Sequence, residues 1–169
     1  GRPFEILLID DGSSDRGPVL VTELAATDSR VRLISFTRNF GKAAALSAGF
    51  QRASGEVIIT MDADLQDDPA EITNFLSVID EGFDVVSGWK KIRHDPLGKT
   101  LPSKVFNFML QKTFDLDIND FNCGFKAYSR RAAKSLNLYG ELHGFTPALA
   151  NSNGYTVTEI PVQHHARVH

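Results

Sequence analysis

The chain has 169 residues, 42% apolar and 23% charged, the size and composition of one ordinary globular domain with enough apolar mass for a real core. Its only cysteine is Cys123, which excludes an intrachain disulfide, argues against redox chemistry and makes a reducing compartment the simpler expectation; the net charge of -3 by itself excludes little. No apolar run approaches the roughly 20 residues that span a bilayer and the first residues lack an export pattern, so the chain as given is expected to be soluble, and its start at Gly1 rather than Met suggests a fragment.

In chain order, residues 5–10 form a short apolar run ending in acids, and Pro18 opens a helix to about Thr27, where a first turn tolerates proline. Residues 31–36 read as the next strand. Residues 42–52 are rich in alanine and break at Ser54-Gly55, the pattern of a helix packed closely on a sheet. Residues 56–61 form a third strand. Asp68-Pro69-Ala70-Glu71 resembles a capping box, with Asp67 and Asp68 as helix-capping acids, and Ile72, Phe75, Leu76 and Ile79 carry that helix to about Glu81. Residues 84–87 form a fourth strand. Residues 89–100 are polar, basic and loop-like, and 102–112 are helical with Val105, Phe106, Met109 and Leu110 on one apolar face. A strand at 124–129, helices at 130–136 and 146–153, and a strand at 156–163 complete the pattern. Short strands with little alternation, separated by helices of about ten residues, predict an α/β fold: a mainly parallel sheet covered on both faces.

Charge is distributed unevenly. Residues 53–88 hold nine acids and no Lys or Arg, whereas residues 89–134 hold ten cations against four acids. That order suits a protein that holds a divalent cation and an anionic substrate close together, and it equally suits two solvated faces.

In open parallel sheets ligands sit beyond the carboxyl ends of strands. There, the first strand runs into Asp10-Asp11-Gly12-Ser13 and the third into Asp62-Ala63-Asp64-Leu65-Gln66. Residues two apart in extended backbone face the same way, so Asp62, Asp64 and Gln66 can present oxygens to one point, and hard oxygen ligands select Mg2+ or Mn2+ with open positions for a phosphate. Uncompensated acids after a buried strand repel one another unless solvent or a cation intervenes. Two aspartates so spaced form, on their own, a weak pattern.

The combination is more specific. Asp10-Asp11-Gly12-Ser13, Asn39-Phe40-Gly41-Lys42 and residues 61–69 (MDADLQDDP), in that order and spacing, resemble the family 2 glycosyltransferases of GT-A fold. Residues 85–91 (VVSGWKK), 120–126 (DFNCGFK), 139–143 (YGELH) and 159–162 (EIPV) are similar to its polyprenyl-phosphate (dolichyl-phosphate) hexosyltransferases. The resemblance implies one catalytic domain over 1–169, with a GT-A, Rossmann-like sheet, a nucleotide and metal half at 1–88 and an acceptor half at 89–169. It implies inverting, metal-dependent transfer of a hexose from a UDP- or GDP-hexose to a polyprenyl phosphate such as undecaprenyl or dolichyl phosphate, at the cytoplasmic face of a membrane.

By position, Asp11 would hold the donor nucleobase, and Asp62 and Asp64 the metal with Gln66 assisting, Ala63 lying between them in the donor site. Lys90 stands where relatives usually have an arginine near the donor phosphates. Lys99, Ser103 and Arg167 match positions that hold the lipid phosphate, and Asp120 would orient or deprotonate the acceptor. Against these stand solvated cations at Lys90 and Lys99, a helix cap at Ser103 and a turn residue at Asp120. The chain departs from the pattern in lacking the family's first strand, with its Pro-x-x-Asn-Glu-like end, in carrying Gly144 where relatives have arginine after His143, and in stopping before a Gly-x-Ser-Lys-Tyr-like segment.

The apolar face of residues 102–112, flanked by Lys104 and Lys112, fits equally a helix in a lipid interface and an internal helix with charged ends. Nucleic acid is not an expected partner, because the acidic half would oppose a phosphate track. His164 and His165, adjacent on an expected strand, point to opposite faces and do not suit a shared zinc. The alternatives are a truncated non-catalytic remnant of the same fold and a sugar nucleotidyltransferase, whose glycine-rich basic opening loop is not visible here.

Overall fold

A computed structural model describes residues 2–91 and 111–165. Chain contacts divide it into two compact units, Gly1–Glu56 with Asn137–His143, and Val57–Leu136 with Gly144–His169.

In the first unit, β1 (Ile6–Asp10) and β2 (Val31–Ser35) pair in parallel, Ile6 opposite Val31 and Asp10 opposite Ser35, joined through α1 (Gly17–Thr27). Pro18 sits in the first turn of α1 as expected, but Val19, Leu20 and Leu24 are exposed and the helix contains no buried residue. Helix α2 (Lys42–Arg52) buries Ala43 and Phe50, and its Gly49 faces the Ile9 side chain on β1. Small residues on this helix permit the close packing that its alanine content predicts. The hydroxyl of Ser47 donates to the Leu138 carbonyl at 3.1 Å, fastening the 137–143 segment to α2.

The second unit is a four-stranded sheet in the order β3 (Val57–Thr60), β5 (Lys126–Ser129), β4 (Val85–Trp89), β6 (Val157–Pro161). β4 and β6 are parallel, as the rhythm of strands and helices predicts. β5 lies between β3 and β4 and runs antiparallel to both, so this sheet is mixed; apolar patterning sets which face a residue takes, not the direction of its strand. On one face Phe75 of α3 (Ile72–Asp80) packs on Phe125, with ring centroids 4.5 Å apart, in a core that includes Val86, Cys123, Ala127 and Val162. The alternate residues of β5 face the other way, where Tyr128 hydrogen-bonds Thr146 at 2.9 Å. Thr146 begins α5 (Thr146–Ser152), which packs on β4 and β6, while α4 (Arg130–Ser135) packs on β5 and β3. Both faces are therefore covered and the α/β class holds.

Element boundaries fall within about two residues of the expected ones, except that β6 stops at Pro161 and Leu142–Phe145 forms an unanticipated turn of 3-10 helix. Residues 111–114 are helical; the rest of the expected 102–112 helix, and most of the 89–100 loop, lie outside the described residues. Among the described residues no helix is long and apolar enough to cross a membrane.

Candidate active site

The register of the mixed sheet decides which loops meet. Thr60 at the end of β3 and Ser87 near the end of β4 are both opposite Lys126 at the start of β5. The segments after β3 and β4 and the segment before β5 therefore leave from one edge, and the chain after parallel β6 leaves there too. Asp62, Asp64 and Gln66, then Lys90, Asp120–Gly124 and His164–His165 are gathered at this edge, the position the fold reserves for ligands.

Asp62 and Asp64 are half-buried, and Ala63 between them is exposed. The Asp62 carboxylate lies over Gly124: a Cβ there would sit 2.5 Å from Asp62 Oδ2 and 3.0 Å from Oδ1. Asp64 Oδ1 accepts the Gln66 amide N–H at 3.3 Å, closing a small turn in which the exposed Leu65 has φ 62°. Left-handed backbone at a leucine is disfavoured and marks a turn held by its surroundings.

Those surroundings include the chain after β6. His165 N donates to the Gln66 carbonyl at 2.9 Å, and the Gln66 side-chain nitrogen donates to the His165 carbonyl at 3.1 Å and lies 3.3 Å from His164 Nε2. Asp67 and His164 form an isolated antiparallel bridge, so the two histidines clasp the acidic loop instead of continuing a strand. Asp68 caps the following turn through Ala70 N at 2.9 Å, as expected. With His165 Nε2 also at 3.4 Å, these partners hold the Asp68 carboxyl below its ordinary value.

The expectation that Asp67 is a second helix cap does not hold. Asp67 is only 5% exposed, its Oδ2 accepts the Asp62 amide at 3.3 Å, and its Oδ1 lies 3.2 Å from Lys90 Nζ. Lys90 accordingly is no solvated loop cation: its side chain is 14% exposed and held by a buried anion beside the Asp62 backbone. Asp120, at 1% exposure, and Lys126, at 2%, complete a set of buried charges. Lys126 Nζ donates to the Cys123 carbonyl and Ser87 Oγ donates to the Asp120 carbonyl at 3.2 Å. Burial pushes the Cys123 thiol up to about 11 against the opposing influence of Lys126, which keeps it an inert core group. Glu159 is held by the Asn119 amides, its backbone N–H at 2.7 Å, and burial raises its carboxyl above the ordinary value despite them.

Two oxygen-bearing carboxylates at a strand end, with the Gln66 amide beside them, suit a hard divalent cation. Among the described residues no three His, Cys, Asp or Glu side chains cluster as a metal site.

In the first unit the Asp11 carboxylate accepts Phe40 N at 2.7 Å and Gly41 N at 2.9 Å, binding the Asn39–Lys42 segment to the end of β1. Asp10 accepts Ser35 Oγ at 2.6 Å and Ser13 N at 3.0 Å, and hydrogen bonds from Ser13, then Ser35, lower its carboxyl. Gly12, at φ 77°, lets this turn touch the Arg38 backbone where a Cβ would clash.

The sequence profile described as Glycosyl transferase family 2 matches residues 1–136. The chain belongs to glycosyl transferase family 2. Over 168 residues, 99% of its length, it is 42% identical to the undecaprenyl-phosphate 4-deoxy-4-formamido-L-arabinose transferases of Salmonella paratyphi B and Salmonella newport, and it spans 51%, about half, of those relatives. Glucosyl-3-phosphoglycerate synthase from Mycobacterium tuberculosis superposes with a TM-score of 0.68 at 20% identity, covering 97% of this chain and 62% of that one. A mannosyltransferase from Pyrobaculum calidifontis, solved with GDP-Man and Mn2+, gives 0.64 at 22% identity over 93% of this chain and 45% of that one.

Within this family 2 chain, Asp62, Ala63, Asp64, Gln66, Lys90 and Asp120 all belong to the second unit and gather at one sheet edge, while Asp11 belongs to the first. Lys99, Ser103 and Arg167 lie outside the described residues. Gly144, where the resemblance places an arginine, is buried, and a Cβ there would meet the side-chain oxygen of the exposed Asn122, which would have to move to admit it. From sequence Asp67 was read only as a helix cap, and Gly124 and Lys126 only as part of the 120–126 motif. The available signal was a lysine within the expected 124–129 strand and a glycine two residues before it.

Proposed function

We propose that this chain is the catalytic part of an inverting transferase that moves a hexose from a UDP- or GDP-hexose to a polyprenyl phosphate, such as undecaprenyl or dolichyl phosphate. The observation that carries the reading is the placement of Asp62 and Asp64, half-buried at the carboxyl end of β3, beside a Lys90 steered by buried Asp67. The similarity to undecaprenyl-phosphate sugar transferases supports the acceptor class, and the GDP-Man and Mn2+ of the mannosyltransferase complex support the donor and metal class.

Asp62 and Asp64, with Gln66 assisting, would hold Mg2+ or Mn2+, which when bound neutralises charge on the departing diphosphate. Lys90 adds a cation for the same phosphates, and Asp11, whose carboxylate binds the Asn39–Lys42 segment, is proposed to hold the donor nucleobase. The acceptor is a phosphate monoester with a second pKa of about 6, largely dianionic at neutral pH and already nucleophilic. A strong base is therefore unnecessary, and Asp120, buried at 1% exposure, serves to organise the acceptor side. Displacement at the anomeric carbon with the acceptor opposite the leaving diphosphate gives inversion. Lys99, Ser103 and Arg167 are proposed for the acceptor phosphate at the cytoplasmic face of a membrane.

The test is transfer by the full-length protein from UDP- and GDP-hexoses to undecaprenyl phosphate in detergent, with the product anomer read by NMR. Inverted lipid-linked hexose, lost on Asp62→Asn or Asp64→Asn and only reduced on Asp120→Asn, is expected. Retention, or equal losses at all three aspartates, would refute the mechanism; no nucleotide-sugar binding at all would favour a non-catalytic remnant.

A further inference from the structure

Two successive carbonyls shortly before the buried strand β5, those of Cys123 and Gly124, are both clamped by side chains, and from different strands. Lys126 Nζ, on β5 itself, donates to the Cys123 carbonyl. Thr60 Oγ1, at the end of β3, donates to the Gly124 carbonyl at 2.8 Å. With two successive carbonyl groups fixed, the peptide planes on both sides of Gly124 have little freedom to rotate. Gly124 is the residue on which the Asp62 carboxylate rests, with 2.5 Å from Oδ2 to the site of a Cβ and 2.8 Å from Cγ. Asp62 follows Thr60 by two residues, so the hydroxyl that fixes the platform and the carboxylate that lies on it belong to the same short segment.

A lysine 2% exposed in a sheet is costly to bury and is retained only where its charge is compensated and its donors are used. Lys126 uses a donor on the Cys123 carbonyl, and the buried Asp120 belongs to the same 120–126 segment. The Lys126 ammonium is buried and donates to the turn beneath Asp62.

We propose that Lys126 and Thr60 are positioning residues for the cation-binding carboxylate: they hold the 123–124 backbone flat beneath Asp62, so that Asp62 is oriented before metal and donor arrive. The inference rests on Asp62 being a metal ligand. Groups that orient ligands in this way typically change metal affinity by about 10- to 100-fold when removed.

Mn2+ binding to the full-length protein, read from the free-ion EPR signal with UDP and separately with GDP present, tests it without reliance on turnover. Lys126→Met, which keeps chain length and removes the donor, is expected to weaken Mn2+ binding by about tenfold or more. Thr60→Val is expected to shift binding in the same direction, and Gly124→Ala, which drives a methyl into the Asp62 carboxylate, to weaken it most. Leu136→Ala, a buried-residue change in the same unit beyond the far end of β5, should lower the melting temperature and leave Mn2+ affinity unchanged. Wild-type affinity in Lys126→Met or Thr60→Val, or an equal loss in Leu136→Ala, overturns the proposal. If Lys126→Met does not fold, the isosteric Thr60→Val decides alone. Unaltered Mn2+ binding in Asp62→Asn, or none in the parent protein, would instead defeat the metal reading on which the inference rests.

Discussion

Replacing Lys90 by methionine removes one partner of a pair whose anion cannot escape to water. Lys90 Nζ and Asp67 Oδ1 are 3.2 Å apart, with the Asp67 side chain fully covered and that of Lys90 14% exposed. At an effective dielectric of ~20 this separation gives about 5 kcal/mol of attraction, much of which offsets the desolvation of the two ions. The cost of orphaning Asp67 is larger than the net worth of the pair, because among the described residues only the Asp62 amide, at 3.3 Å, remains to compensate it. A loss of about 3 kcal/mol follows, the lower end for a broken buried pair since Lys90 keeps some exposure, or a melting temperature lower by roughly 6–12 °C in a chain of this size. Asp67→Asn should cost less, because the lysine stem can turn its ammonium outward. The double variant Lys90→Met, Asp67→Asn carries no buried charge at this point and should recover much of the Lys90→Met loss. Urea and thermal unfolding of the three variants complete a double-mutant cycle. A Lys90→Met protein as stable as the parent, or strictly additive effects, would show that the pair is not coupled as its geometry requires.

Two further outcomes are expected. Burial alone would raise the carboxyl of Asp84, but Arg131 at 2.8 Å, Ser129 Oγ at 2.9 Å and the Thr156 backbone N–H at 3.3 Å outweigh it and hold it below the ordinary value of 3.8. A depressed carboxyl stabilises the fold above its unfolded-state value and loses that contribution as pH falls through the lower folded value. Asp84→Asn should therefore lower stability at pH 7 by about 2 kcal/mol and flatten the acid limb below about pH 4 in a pH series of urea melts, whereas an unchanged acid limb would contradict it. Cys123, 3% exposed and pushed up to about 11, should resist maleimide at pH 7.5 in the folded protein and react fully in urea; rapid labelling of the native state would show that its pocket opens.

The strands and helices were legible because apolar spacing and glycine or proline breaks are local signals: Lys42–Arg52 and the proline opening of α1 needed nothing beyond their own neighbours. The direction of β5 was not legible, since a four-residue strand reads alike whichever way it is threaded. Asp62 and Asp64 could be selected because they follow a strand, and Asp68 because a proline follows it. Asp67 was misread as a cap because its partner Lys90 is far along the chain, and adjacency in sequence suggested the nearer helix. His164 and His165 were assigned to a strand that stops at Pro161, and their contact with Gln66 arises only when the chain after β6 folds back on the acidic loop. The role of Gly124 depends on a side chain from another strand approaching its Cα, which no local pattern encodes.

The central claim is that Asp62 and Asp64 join a divalent ion to the diphosphate of the donor. Calorimetric titration of UDP and of GDP into the full-length protein, with and without Mn2+, tests it most directly. The account predicts that one of the two nucleotides binds only with Mn2+ present and that Asp62→Asn and Asp64→Asn each abolish that binding; metal-independent binding that survives both substitutions would contradict it.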